Sequence, residues 1–589
     1  MDMTLRPRAL SHSARLLRGT FRGGLSLSLA LAVSILTVAA PRPASAFCGF
    51  YVSGAEGDVF NDATQVVLMR FGTLTVLSMQ NAYKGPPENF AMVVPVPVVL
   101  QEENVKTLEP AVFSVVDKLA APRLVEYWEQ NPCPQPVNYS SDMKRSRAAE
   151  PMGAMADEDR GGADLGVKVE AQFKVGEYEV VILSAKDSTG LDTWLKREKY
   201  DIPDGAEPFL RPYVESGSKF FVAKVDVSKI QFEDGRALLS PLRFHYESEV
   251  FSLPIRLGMM NSSGTQDLIV HVLAPNQRYE VANYTNVTIP TNLVVEDDVR
   301  KDFGGFYNAL FDYTVEQNPG AIVTEYSWPS WPGKCDPCPG AVQGIDMNTL
   351  QMLGADTIGM VISKIDLVAM QDQLQKLQQT YYESSRTGKV DPDLTREMQE
   401  VSQRYYTAQN SVQTVMNSFV LTRLHARYEK GTVGDDLVFR AAPPIIGGRG
   451  MPGPKGELEE RTQPSSTNQF QGRYAILHRW TGGADCPNPQ FGRWGGPPKG
   501  GGMQIASPPP SAELAIATRG DVDLQKLVGG TLPEFEYRTN AEAQNSLPSR
   551  GRGDRGCGCQ ASSTAPAGLA LFAIALLGLR RRRSWSASG

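Results

Sequence analysis

Histidine is scarce in this chain, with five copies among 589 residues, and none stands in an HExxH or similar metal spacing. Zinc hydrolases of that kind are excluded. No GxSxG elbow occurs either, so a serine hydrolase of the elbow type has no nucleophile to offer. Cysteine is thin at seven copies, and excess positive charge is missing, with 59 Lys and Arg against 65 Asp and Glu and a formal net charge of -6. Without a basic footprint for phosphates, general nucleic-acid binding is excluded. Apolar residues at 41% and charged ones at 21% rule out a wholly disordered chain, a collagen and a multi-span membrane protein. What the chain has in quantity is Gly (54) and Pro (41). It reads as a loop-rich globular protein with room for one large or two ordinary domains.

The two ends carry the most specific signals. Arg6, Arg8, Arg15, Arg18 and Arg22 precede an apolar stretch over 25–40, and the small residues Ala44 and Ala46 then frame a cleavage site. Residues 1–46 are expected to be a secretory signal peptide removed after Ala46 by signal peptidase. Phe47 intervenes before Cys48, which weakens a lipoprotein reading. At the other end Cys557 and Cys559 precede a Ser/Thr/Ala spacer, an apolar run over 566–579, and Arg580, Arg581, Arg582 and Arg583. That run as a helix spans about 21 Å, short of the roughly 30 Å hydrocarbon core, so it would cross only a thinned bilayer, with its arginines held cytoplasmic. The order of Cys motif, short membrane segment and Arg cluster over 557–583 resembles the myxobacterial sorting tail called MYXO-CTERM. That resemblance implies processing by a myxosortase-type membrane protease and display on the outer surface; which of Cys557 and Cys559 is processed stays open. A plain C-terminal membrane anchor is the alternative. Removing six Arg and one Asp before residue 47 and four Arg after 579 takes the net charge from -6 to -15. The exported body is distinctly acidic.

Along that body the patterning predicts an α+β fold: a mostly antiparallel sheet with covering helices, a helical hairpin insertion and long Gly/Pro-rich loops. Residues 47–328 make the main body. Hairpins are expected at 64–83, turning at Gly72, and at 166–185, turning at Gly176. Helical spacing runs through 108–129, although Pro122 should break it. Short helices are expected at 191–199 and 207–217, a covering helix at 299–316, and extended runs at 90–97, 219–227, 239–247, 251–257, 267–273 and 279–289. The alternation Leu242-Arg243-Phe244-His245-Tyr246-Glu247 predicts a half-buried strand. Residues 140–166 read as a disordered loop, 329–347 as a Pro/Gly/Cys loop, and 348–430 as a helical hairpin with an apolar stripe at Leu367, Met370, Leu374 and Leu377. Residues 431–528 read as a loop-rich remainder and 529–556 as a linker.

Several segments resemble the domain-of-unknown-function family 2330 (DUF2330). They are Phe90-Ala91-Met92-Val93-Val94-Pro95-Val96-Pro97, the neighbourhood of Trp194, Leu239-Ser240-Pro241-Leu242-Arg243-Phe244, Leu253-Pro254-Ile255-Arg256-Leu257-Gly258 and Asn283-Tyr284-Thr285-Asn286. Thr422-Arg423-Leu424-His425-Ala426-Arg427-Tyr428 and Asn468-Gln469-Phe470-Gln471-Gly472-Arg473-Tyr474 are similar to its long form. The resemblance spans roughly residues 47–500. It implies an exported bacterial surface protein and supplies no reaction, cofactor or catalytic residue.

Candidates for chemistry are few. Cys335-Asp336-Pro337-Cys338 has the CxxC spacing of a thiol oxidoreductase, but in an exported protein it reads better as a structural disulfide. Zinc would need a second pair, and Cys48, Cys133 and Cys486 look like scattered singles. His245, His271, His425 and His478 are expected to be packed or hydrogen-bonded. Gly448-Arg449-Gly450-Met451-Pro452-Gly453 matches GxGxxG, but its prolines deny the helix that would bind a pyrophosphate. The sequence therefore points to a surface-displayed structural or binding protein with an unidentified ligand. An extracytoplasmic enzyme, a carboxylate-based hydrolase or a CxxC oxidoreductase, is the alternative.

Overall fold

Glycines in the left-handed region close both expected hairpins in the computed structural model of the chain. Gly72, at φ 60°, joins Thr64–Phe71 (β1) to Leu74–Gln80 (β2). Ala91–Val96 (β3) and Arg123–Glu129 (β4) follow. Gly176, at φ 59°, joins Val167–Val175 (β5) to Tyr178–Ala185 (β6), and there a Cβ would stand 2.8 Å from the Thr107 methyl. The remaining long strands are Lys219–Val225 (β7), Leu242–Glu247 (β8), Gln266–Pro275 (β9), Ile322–Pro329 (β10), Phe419–Tyr428 (β11) and Arg473–His478 (β12). The structure describes residues 50–133, 166–330, 344–428 and 433–497, with short gaps inside these ranges, and a few residues between 505 and 539. Residues 540–589 lie outside the described residues.

Six helices of nine residues or more occur among the described residues. They are Ala111–Ala120 (α1), Ser188–Arg197 (α2), Glu207–Glu215 (α3), Phe303–Gln317 (α4), Leu367–Arg386 (α5) and Pro392–Ser418 (α6). Side-chain caps start several of them: Asp187 accepts from the Gly190 amide before α2, and Asp302 from the Gly305 amide before α4. Asp391 caps α6, where Pro392 occupies the first turn and loses no hydrogen bond.

Two sheets stack face to face. The first runs Phe50–Val52, β3, β7, β6, β5 and is antiparallel throughout. The second has twelve strands, and its centre runs β10, β11, β9, β1, β2, β8, with only β9 and β1 parallel within that run. Between the sheets, Val66, Leu68, Leu77, Phe244, Val270 and Leu424 meet Met92, Val94, Val180, Ile182 and Phe221 in one apolar seam. Each such side chain contributes about 1.5–3 kcal/mol by leaving water. Leu191, Trp194 and Leu195 of α2 and Leu210 of α3 cover the outer face of the first sheet. Val112, Phe113 and Val116 of α1 cover the outer face of the second, and Phe306, Leu310 and Phe311 of α4 pack beside them on Val323 and Tyr474. The layer order is helix, sheet, sheet, helix, and the fold class is α+β.

Departures from local patterning have non-local causes. The helical spacing over 108–129 ends at Ala120, and after Pro122 the chain becomes β4, which pairs in parallel with β12 some 350 residues later. Residues 251–257 keep only Ser252–Leu253 as a strand before a 3₁₀ turn at Arg256–Asn261. Strand β8 buries Leu242, Phe244 and Tyr246 as its alternation predicts, while on its polar face Arg243 is 2% exposed, His245 partly buried and Glu247 exposed. Within 348–430 the helical hairpin is α5 and α6, with Leu374 and Val401 buried. Its last ten residues are instead β11, between β9 and β10. Cys133 and Cys486 are not singles but a disulfide, Cα atoms 5.7 Å apart across 353 residues. Among the described residues no helix is long and apolar enough to cross a membrane.

Closing so long a loop should stabilise the body by limiting its unfolded states. Replacing Cys133 and Cys486 by Ser is expected to cost about 3–5 kcal/mol, read as a lower urea midpoint that dithiothreitol reproduces in the wild type. An unmoved midpoint in both experiments would show the bridge to be idle.

Candidate functional site

Alternation along β11 sends Val420, Leu424 and Ala426 towards one face and Arg423, His425 and Arg427 towards the other. Helices α1 and α4 cover that second face, so Arg423 is 0% exposed and His425 2%. Charges so placed must be paired or the fold fails. A β-bulge supplies the first partner. Thr324 pairs with Leu424 and Tyr326 with Arg423, which leaves Glu325 as the extra residue of β10, re-aimed between the two basic side chains. Its carboxylate accepts from Arg423 Nε at 2.6 Å and from His425 Nδ1 at 2.7 Å, and Tyr307 of α4 donates to the same oxygen as His425.

The remaining partners come from three more elements. Asp117 of α1 accepts from Arg423 Nη1. Asp267 of β9 accepts from Arg427 Nε at 2.7 Å and Nη2 at 3.1 Å, while Asp312 of α4 accepts from Nη1. His425 Nε2 lies 3.5 Å from Asp267 Oδ1, an ion-pair contact too long for a hydrogen bond. Phe311 stacks on the His425 ring at 3.7 Å between centroids and carries the Arg427 guanidinium 4.6 Å above its own ring.

Burial opposes charge on Asp267, but Arg427 and His425 outweigh it and hold the carboxyl well below its usual range. Burial likewise opposes a proton on His425; Glu325 and Asp267 outweigh it, and the ring holds its proton more tightly than an ordinary histidine. His271 shows the reverse. It pairs in register with Arg423, is fully buried, and neither ring nitrogen has a hydrogen-bond partner. Burial, then the Arg423 charge, drives its pKa down to about 3.

A second, half-open cluster sits on the β4–β12 pair. Arg300 grips Glu126 with two bonds of 2.8 Å, His478 Nε2 lies 2.7 Å from the same carboxylate, and Trp128 stacks on the imidazole at 4.6 Å. His245 rests 3.1 Å from the Asn104 amide, and burial, then Arg243, lowers its pKa. The Leu253 and Asn283 segments do structural work. Asp436 accepts from Tyr213 at 2.6 Å and from the Ile255 and Arg256 amides, while Asn283 and Tyr284 bond the backbone around it. At Gly448, φ 68°, a Cβ would stand 2.0 Å from the Gln471 carbonyl oxygen, so glycine there serves close packing, and Arg449 pairs with Glu459.

Ala44, Ala46, Cys335, Cys338, Cys557, Cys559 and Arg580 to Arg583 all lie outside the described residues. So does the 140–165 loop. Among the described residues no three His, Cys, Asp or Glu side chains group so as to hold a metal. The charge network itself escaped sequence reading. Its one local trace is the basic side chains at alternate positions in Arg423-Leu424-His425-Ala426-Arg427.

The class that emerges is a two-sheet α+β protein pinned by a buried ionic network. Across residues 42–440 the chain matches the family described as an uncharacterized protein conserved in bacteria, DUF2330, and it belongs to that family. No curated protein and no solved structure matches it.

Removing Glu325 leaves two buried cations short of a partner, so Glu325→Ala is expected to destabilise the body by about 3–5 kcal/mol in urea denaturation. His271→Leu removes ring nitrogens that have no partner and should instead raise stability by about 1 kcal/mol at pH 7. Equal losses from both substitutions would contradict these assignments.

Proposed function

We propose that this DUF2330 protein is exported, held at the cell envelope, and works there by contact, as a structural or binding component. The observation that carries export is the Cys133–Cys486 bridge, because such links persist outside the cytoplasm and are reduced within it. The arginine-led apolar segment ending at Ala44 and Ala46 fits signal peptidase. The order Cys557, Cys559, apolar run and Arg580 to Arg583 fits a membrane anchor trimmed by a myxosortase-type protease. A contact role is favoured because Glu325, Arg423, His425 and Asp267 are buried and engaged with one another or with Asp117 and Arg427.

An extracytoplasmic enzyme is the second reading, and one site favours it. Glu126 holds the imidazole of His478, which is 23% exposed, in the arrangement of an acid-oriented general base. A hydrolase built on two carboxylates has less support. Burial opposes charge on Asp356, yet Arg243 and Lys106 hold it low, as Arg427 and His425 hold Asp267, and neither is suited to donate a proton. Thiol exchange at Cys335 and Cys338 comes third.

Mass spectrometry of surface-labelled cells tests the leading reading. The expected mature chain starts at Phe47, carries the Cys133–Cys486 peptides as a linked pair, and is trimmed or anchored near Cys557. Intact chain in the cytosol with both thiols reduced would overturn it. Turnover of an ester, amide or glycoside by purified protein, lost on His478→Ala, would favour the enzyme.

A further inference from the structure

Both ring nitrogens of His425 face acids: Nδ1 stands 2.7 Å from Glu325 and Nε2 3.5 Å from Asp267. A carboxylate only accepts, so a neutral imidazole would turn its bare lone pair on one of them, and only the doubly protonated ring suits both. The surrounding charges point the same way. Glu325 from β10, Asp267 from β9, Asp312 from α4 and Asp117 from α1 are four acids, whereas β11 supplies two guanidiniums, Arg423 and Arg427. Tyr307 and Phe311 of α4 are neutral, as is the unpartnered His271 of β9. Tyr474 of β12, also buried, adds no cation. Arg123, buried beside Tyr326 of β10, spends its Nη2 on the Lys118 and Leu119 carbonyls of α1. Among the described groups the imidazolium touches both Glu325 and Asp267, and it adds a positive charge to those of Arg423 and Arg427.

We propose that His425 is a proton-operated clasp in the centre of the larger sheet. Charged, it ties β10 and β9 to β11 and, through the Glu325 oxygen shared with Tyr307, seats α4. Uncharged, it leaves one of Glu325 and Asp267 facing a lone pair and both facing each other's charge, and α4 loosens. Export is not required for this clasp to act. The folded state binds the proton more tightly than the unfolded chain. The clasp therefore contributes fully below the ordinary histidine value of about 6.5 and is lost as pH rises through the higher folded value. His271 acts on the opposite limb, its neutral burial costing stability as pH falls from about 6.5 towards about 3.

The test uses the full chain with ring-¹³C histidine, alongside His425→Gln. In the wild type one resonance, absent from the variant, should titrate above about pH 6.5. The wild-type advantage in folding constant over the variant should shrink at least about fivefold between pH 6 and pH 9. Hydrogen exchange in 303–317 should quicken along the same curve. A His425 titration at or below about 6.5, or parallel wild-type and variant stability curves, would overturn the clasp. If His425→Gln does not fold, the wild-type titration and exchange curves decide alone.

Discussion

A sheet covered on both faces leaves no water for any charge its sequence places there. That constraint governs the larger sheet. One face of β11 joins the apolar seam, and the other, carrying Arg423, His425 and Arg427, lies under α1 and α4. Taking three such groups out of water costs several kcal/mol each, and pairing returns that only when geometry is close. Hence the Glu325 bulge, which spends a ladder position to put one carboxylate between two cations, and hence acids from α1, α4 and β9 on the same few atoms. Packing alone would tolerate a register slip better. Slipping β11 by one residue would drive all three basic side chains into the seam, so their charge specifies register more than it adds stability.

The same economy recurs where the backbone is irregular. A chain with 54 Gly and 41 Pro folds through many turns whose carbonyls find no ladder partner, and buried carbonyls need donors. Arginine supplies them. Arg243 donates to the carbonyls of Gln351 and Met352 at 3.1 and 2.9 Å, Arg278 to that of Pro443 at 2.8 Å, and Arg70 to those of Thr73 and Ser248. Arg473 ties the Gly450 carbonyl to Asn292. Five donors in a fixed fork let one buried guanidinium close a loop that water would otherwise have to enter. This is why Arg243, Arg278 and Arg473 are among the largest fully buried side chains.

Legibility in the sequence followed range of interaction. The hairpins at Gly72 and Gly176, the helices α2, α3 and α4, and the start of α6 at Pro392 were readable because glycine, proline and caps act within a few residues. Strand β4 was not, because its apolar spacing suits a helix equally well, and only its parallel partner β12 decides the matter. Strand β11 was read as the end of a hairpin for the same reason: its neighbours β9 and β10 arrive from far earlier in the chain. The site was less legible still. Asp117, Asp267, Asp312 and Glu325 are four of 65 acids, and nothing local distinguishes them until the fold brings them to one strand.

The placement of the network relative to the family match adds a last constraint. Asp117, Asp267, Tyr307, Asp312, Glu325, Arg423, His425 and Arg427 all fall within 42–440, whereas β12, His478 and Cys486 lie beyond it. These members of the charge network thus lie inside the matched span, while the half-open Glu126–His478 pair and the disulfide each join one residue inside that span to one outside. Within the network, Arg423 sets two histidines against each other. By holding Glu325 in place it helps keep the proton on His425, and by its own charge it keeps one off His271 in the paired position of β9. For His271 burial acts first and the Arg423 charge second, whereas for His425 the carboxylates of Glu325 and Asp267 outweigh burial, so the same strand pair holds two imidazoles of opposite proton affinity.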